Sequence, residues 1–206
     1  MKQYDTSSAD YIKCKFIDYF INRYDCQCIG SEVMYGINKK MADLIFLSNG
    51  KTYAIEIKSK NDNLLKIQDQ ISNYCDVFDY VIVVTTKNHI NNLMNEINNS
   101  IGVFLISDDF SIQQIQRFTL QRHLKKQSVL SSINANYLRS LVDFKYADVD
   151  DLRLHLSKKS KPFLKGLLYD FLLKKLNKSF FRFLEERGTV THIEDLGTLS
   201  QIVQVE

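Results

Sequence analysis

Residues 42–47 are apolar apart from Asp43, and residues 51–58 alternate apolar with polar positions. Asn49-Gly50 stands between the two runs. A type I′ turn needs φ > 0 at both central residues, so this arrangement predicts a β-hairpin. With a two-residue turn, Ser48 pairs with Lys51, Phe46 with Tyr53, Leu44 with Ile55 and Asp43 with Glu56. Strand alternation then puts Lys58 on the face of Glu56. Upstream, Ser7 is placed to cap a helix with Asp10 in its first turn, and Phe16, Ile17, Phe20 and Ile21 repeat at helical spacing. Residues 26–29 read as a short strand, whereas 30–40 fit neither period.

Downstream, Asp62 or Asn63 caps a helix carrying Leu64, Leu65, Ile67, Ile71 and Tyr74. On it, Lys66, Gln70 and Tyr74 recur every four residues and share a face. Residues 80–85 form a continuous β-branched run, the pattern of a strand buried on both sides. A helix over 88–98 and a second buried strand over 101–106 follow. Helical crossovers between consecutive strands imply parallel pairing, so the predicted fold is α/β with a mixed central sheet. Beyond Asp109 the pattern turns helical, with helices expected over 112–126, 133–144, 148–157 and 162–187. Pro162 starts the last and Gly188 stops it. Its apolar stripe, from Leu164 to Leu184, predicts core packing, with a homodimer or partner surface as the sharper alternative. The shift divides the chain into an α/β part, 1–110, and an all-helical C-terminal subdomain, 111–206.

Composition adds little to this picture and charge adds more. The 206 residues are 45% hydrophobic and 25% charged, ordinary for a globular chain with a sizeable core. Residues 1–111 carry 11 Lys and Arg against 14 Asp and Glu, while 112–206 carry 16 against 10. A basic second half suits contact with a polyanion, and solvated helices rich in lysine explain it equally well. No apolar run is long enough to span a membrane. The opening residues lack an apolar signal region, and the four cysteines include no C-x-x-C pair. Reduced thiols and a cytoplasmic location are therefore expected, with no zinc site.

The chemistry concentrates at the hairpin. Two carboxylates opposed across a sheet repel, and apolar neighbours strengthen the repulsion. A hard divalent cation between Asp43 and Glu56 relieves it, since such ions take carboxylate, carbonyl and water oxygens. Solvated charges, each balanced by a nearby lysine, are the plain alternative.

Asp43, then Glu56-x-Lys58, resembles the PD-(D/E)xK nuclease superfamily. Gln70-Ile-Ser-Asn-Tyr74 resembles the Gln-x-x-x-Tyr element of its RecB-like branch, and the text is most similar to small, uncharacterised bacterial and phage members. Ala42 stands where the family name has proline. The resemblance covers residues 8–107 and implies a restriction-endonuclease-like αβββαβ core and metal-dependent hydrolysis of DNA. It further implies Mg²⁺ or Mn²⁺ held by Asp43, Glu56, the Ile57 carbonyl and Glu32. Lys58 and Gln70 would complete the catalytic set, with Tyr74 and Lys66 towards nucleic acid. Lys158, Lys159 and Lys161 flank the start of the last long helix, where amide groups favour phosphate. The alternative function is a non-catalytic nucleic-acid-binding module, or one regulated by a protein partner.

Overall fold

The computed structural model describes residues 8–141 and 148–200. The hairpin forms on the expected turn, with φ of 50° at Asn49 and 69° at Gly50. Its strands are β2 (Lys40–Ser48) and β3 (Lys51–Lys58), with rungs from Ser48–Lys51 to Leu44–Ile55. Strand β1 (Cys26–Tyr35) pairs antiparallel with β2 over its whole length and runs on past the hairpin ladder through Val33–Ala42, Met34–Met41 and Tyr35–Lys40. The short strand expected at 26–29 is therefore ten residues long. Beyond Leu44, β2 keeps only β1 as a partner among the described residues, and the two continue as a two-stranded ribbon.

On the other side β3 pairs parallel with β4 (Tyr80–Thr85), which pairs parallel with β5 (Gly102–Ile106). Helices α2 (Ile67–Cys75) and α3 (Ile90–Glu96) supply the crossovers. A sixth strand, β6 (Ile112–Gln116), pairs antiparallel with β5 and completes a mixed sheet in the order β1-β2-β3-β4-β5-β6. This corrects the helix expected over 112–126. The sheet therefore extends past residue 110.

Helix α1 (Ala9–Arg23) covers one face, where Phe20 stacks on Phe46 with ring centroids 4.1 Å apart. Ser8 caps it by accepting from Tyr11 N; Ser7, the expected cap, lies outside the described residues. Alternation turns Ala54, Glu56 and Lys58 to the opposite face, which α2 covers. There the long helix α7 (Lys161–Glu186) crosses β1 at Gly30, where an added Cβ would stand 2.7 Å from Leu176 and from Val33. Helices α4 (Lys126–Ser132), α5 (Ala135–Arg139), α6 (Val149–Ser157) and α8 (Ile193–Ser200) pack around α7 and the edge of β1. Most of the α7 stripe is buried in one core continuous with the sheet, while Leu184 is exposed. None of the described helices is long and apolar enough to cross a membrane. All four cysteines are free thiols, held protonated by burial.

Candidate active site

The hairpin strands part at Asp43. By register the next rung would be Asp43–Glu56 and the next hydrogen-bonded pair Ala42–Ile57, but Asp43 Oδ2 accepts the Ile57 N–H at 2.7 Å instead. The side chain thus caps the end of the β2–β3 ladder and lies at the mouth of the gap. In a strand the N–H and C=O of one residue point the same way, so the Ile57 carbonyl projects into that gap as well.

Glu56 sits beside it and is 2% exposed. Its Oε1 accepts from Lys58 Nζ at 2.9 Å and from Gln70 Nε2 at 2.5 Å, and its Oε2 accepts from the Tyr74 hydroxyl at 2.7 Å. Lys58 Nζ also donates to Gln70 Oε1 at 3.0 Å. Gln70 therefore turns its amide nitrogen to the carboxylate and its oxygen to the ammonium, the one orientation that satisfies both neighbours. Helical spacing brings Gln70 and Tyr74 to the same place, one turn apart on α2.

The electrostatics follow from crowding two acids at a dry spot. Burial first, and then the Glu56 charge, push the Asp43 carboxyl up to about 6 from 3.8, against the pull of the Ile57 N–H, Lys13 and Lys58. Burial and the same two acids hold the Tyr74 hydroxyl well above the usual phenol range. Tyr74 stacks on Tyr35, whose hydroxyl is pushed up for the same reasons.

Residues 2–200 match the family model described as bacteriophage P4 protein cII. The chain belongs to the bacteriophage P4 cII family. No curated protein matches it. Among solved structures, the SPO1766 protein of unknown function from Silicibacter pomeroyi is similar at 14% identity and a TM-score of 0.41, covering 65% of this chain and 93% of that one.

In this member of the P4 cII family, the structure brings Asp43, Glu56, Ile57, Lys58 and Gln70 together. Glu32 bonds to none of them among the described residues, although the β1–β2 register sets it across from Asp43. It adopts φ of 54° in the middle of β1, and its half-exposed carboxylate pairs with Lys13 Nζ at 3.3 Å. Tyr74 is 1% exposed, so a role against nucleic acid is corrected to support of Glu56. Lys66 precedes α2 and is exposed, since the helix begins one residue later. Lys158, Lys159 and Lys161 are exposed around the start of α7. That end of α7 is tied to Asp79 through Lys165, and Asp79 also accepts the Thr52 N–H, at the far end of β3. Six residue steps along β3 separate Thr52 from Lys58, about 20 Å. The basic cluster therefore lies towards the opposite end of the strands from the carboxylates.

Lys13 escaped the sequence reading. It is 6% exposed on α1, bonded to Glu32 and 3.5 Å from Asp10, and it acts on the Asp43 charge. No local spacing marks it, because its partner lies 19 residues away on another element. Among the described residues no group of three or more His, Cys, Asp and Glu side chains is placed to hold a metal ion. Two carboxylates and one carbonyl remain, a donor set that suits Mg²⁺ with water completing its shell and suits zinc poorly.

Proposed function

We propose that this chain is a Mg²⁺- or Mn²⁺-dependent nuclease hydrolysing DNA phosphodiester bonds, with a restriction-endonuclease-like αβββαβ core of the PD-(D/E)xK type. The observation that supports the reading best is the convergence of Asp43, Glu56 and Lys58 where β2 and β3 part, with Gln70 bonded to both Glu56 and Lys58. A second support is the raised Asp43 carboxyl, which reports two acids in one desolvated place without full compensation. Asp43, Glu56 and the Ile57 carbonyl are the residues that would hold the cation. When bound, a divalent ion polarises a phosphate and lowers the pKa of a water.

The remaining roles belong to the chain itself. Lys58 has three ammonium donors, two of them spent on Glu56 and Gln70, which leaves one for a phosphate oxygen or the attacking water. Gln70 fixes that ammonium in direction. Tyr74 fixes the Glu56 carboxylate from behind. Cleavage of labelled single-stranded, double-stranded and branched DNA in Mg²⁺, Mn²⁺ or EDTA tests the proposal, with Asp43→Ala and Lys58→Ala beside wild type. Metal-dependent cutting is expected, abolished by the first substitution and reduced about 10²–10³-fold by the second.

The saturation of Glu56 favours a second reading. Both of its oxygens already have partners, as in a polar network kept for structure, and the chain would then be a binding module without turnover. Absence of cutting together with absence of Mg²⁺ binding in calorimetry would select that reading over the nuclease. Metal binding without cutting would point to a missing protein partner or to a different substrate.

A further inference from the structure

We propose that the cleft between the β1–β2 ribbon and helices α4, α5 and α7 binds a phosphate-bearing ligand of mononucleotide size, held by Lys175 with Arg153 and Lys39. This goes beyond the nuclease reading, because the charge of the cleft is the same whether or not Asp43 and Glu56 cleave anything. The cleft has a volume of about 500 Å³, inside the range of about 300–1,000 Å³ typical of small-ligand sites. Its described lining includes three cationic residues and no Asp or Glu, so the field inside favours an anion.

Lys175 is the most buried of the three cations. It is 9% exposed, and among the described residues its ammonium has neither a carboxylate nor a hydrogen-bond acceptor. Its ammonium stands 5.7 Å from the centroid of the Phe171 ring. Its stem is buried while the ammonium opens on the cleft, and this partial burial draws its pKa below the ordinary lysine value. Lys165, three turns earlier on the same helix, shows the contrast: its ammonium meets Asp79 at 2.5 Å. Where the fold uses a buried lysine structurally, it supplies an acid.

Arg153 has weak competition for its guanidinium, since Nε donates to the Leu130 carbonyl and Nη1 to Asp150, both at 3.4 Å, and the Asp150 side chain is 87% exposed. An ammonium and a planar guanidinium together match the several oxygens of a phosphate group. Ser131 and Asn136 add neutral polar groups to the wall. Tyr35 lines the cleft and stacks on Tyr74, which donates to Glu56, so the cleft and the carboxylates share an aromatic partition.

Calorimetry on the full chain in EDTA tests the proposal apart from any metal chemistry. The probes are 2′-deoxyadenosine 5′-monophosphate, the unphosphorylated nucleoside and inorganic phosphate. The monophosphate is expected to bind, the nucleoside to bind at least about 10-fold more weakly, and Lys175→Met and Arg153→Gln each to weaken the monophosphate by about 10-fold. Asp43→Asn is expected to leave this binding unchanged. Lys175→Met removes an unpaired, partly buried charge, so its melting temperature should match or exceed wild type, which separates loss of binding from loss of fold. Unchanged monophosphate affinity in Lys175→Met, or no monophosphate binding at millimolar concentration, overturns the proposal. Displacement of the mononucleotide by a 5′-phosphorylated but not a 5′-hydroxyl oligonucleotide identifies a strand end as the ligand. Failure of both strands to displace it identifies a free nucleotide.

Discussion

Asp43 shows how one side chain can serve a fold at one end and burden it at the other. One oxygen closes a ladder by taking the Ile57 N–H, while the carboxyl as a whole titrates at about 6 instead of 3.8. A folded pKa above the unfolded one means that the native state prefers the protonated acid. The penalty is therefore absent below pH 3.8 and grows to its full size as the pH rises through about 6. Asparagine keeps an acceptor for Ile57 and removes the charge. Asp43→Asn should stabilise the protein by about 1–3 kcal/mol at pH 7.5 and by nothing at pH 3.5. Urea unfolding at the two pH values measures this, and equal stabilisation at both would show that charge is not the cause. On the metal-dependent reading proposed above, Mg²⁺ should for the same reason raise the melting temperature of wild type above pH 6 and lose that effect below it. At this scale the sequence was most legible where partners are local. Strand alternation placed Glu56 with Lys58, and helical spacing placed Gln70 with Tyr74. The burial of Tyr74 was hidden, because a Tyr at the edge of an amphipathic stripe fits either solvent or core, and only the Tyr35 and Phe78 rings around it decide the matter.

Among the elements, the Asn49-Gly50 hairpin and the β-branched run of β4 were plain from their own residues, whereas β1 and β6 were not. Gly30, Ser31 and Glu32 interrupt the apolar pattern of β1, and each answers to something distant. Gly30 admits Leu176 of α7, Ser31 donates to the Asp43 carbonyl, and Glu32 reaches Lys13. Strand β6 misleads for a different reason. Ile112 and Ile115 stand three apart, as on a helix, but the β5–β6 register shifts between Val103 and Phe104 and places Ile115 in the bulge, opposite no residue of β5. Irregular pairing thus produces a helical spacing in an edge strand. The close approach at Gly30 is testable. A Cβ there meets two fully buried side chains that have little room to withdraw, so Gly30→Ala should cost about 1–3 kcal/mol, read from the urea midpoint. A neutral result would mean that α7 can shift off the sheet without loss.

For the whole molecule, the change in composition near residue 110 marks a change of secondary structure while the core runs across it. Strand β6 extends the sheet, α7 buries β1, and Lys165 joins α7 to Asp79 beside the start of β4. Residues 1–110 produced alone should therefore lack the cooperative thermal transition and dispersed amide spectrum of the full chain. Removing the cation with Lys165→Met strands the Asp79 charge and should cost about 3–5 kcal/mol, measured by chemical unfolding. The sequence could not announce this unity, since contacts such as Lys165–Asp79 join residues 86 positions apart. One further property follows from the way β1 and β2 outrun β3. A strand paired on one side has half the bracing of its neighbours, and an isolated two-stranded segment is only marginally stable. The amides of Met34, Tyr35 and Met41 should therefore exchange with deuterium well before those of Ala54 or Val83. Tyr35 borders both the carboxylate cluster and the basic cleft, so the first part of the sheet to breathe is the wall that the two sites have in common.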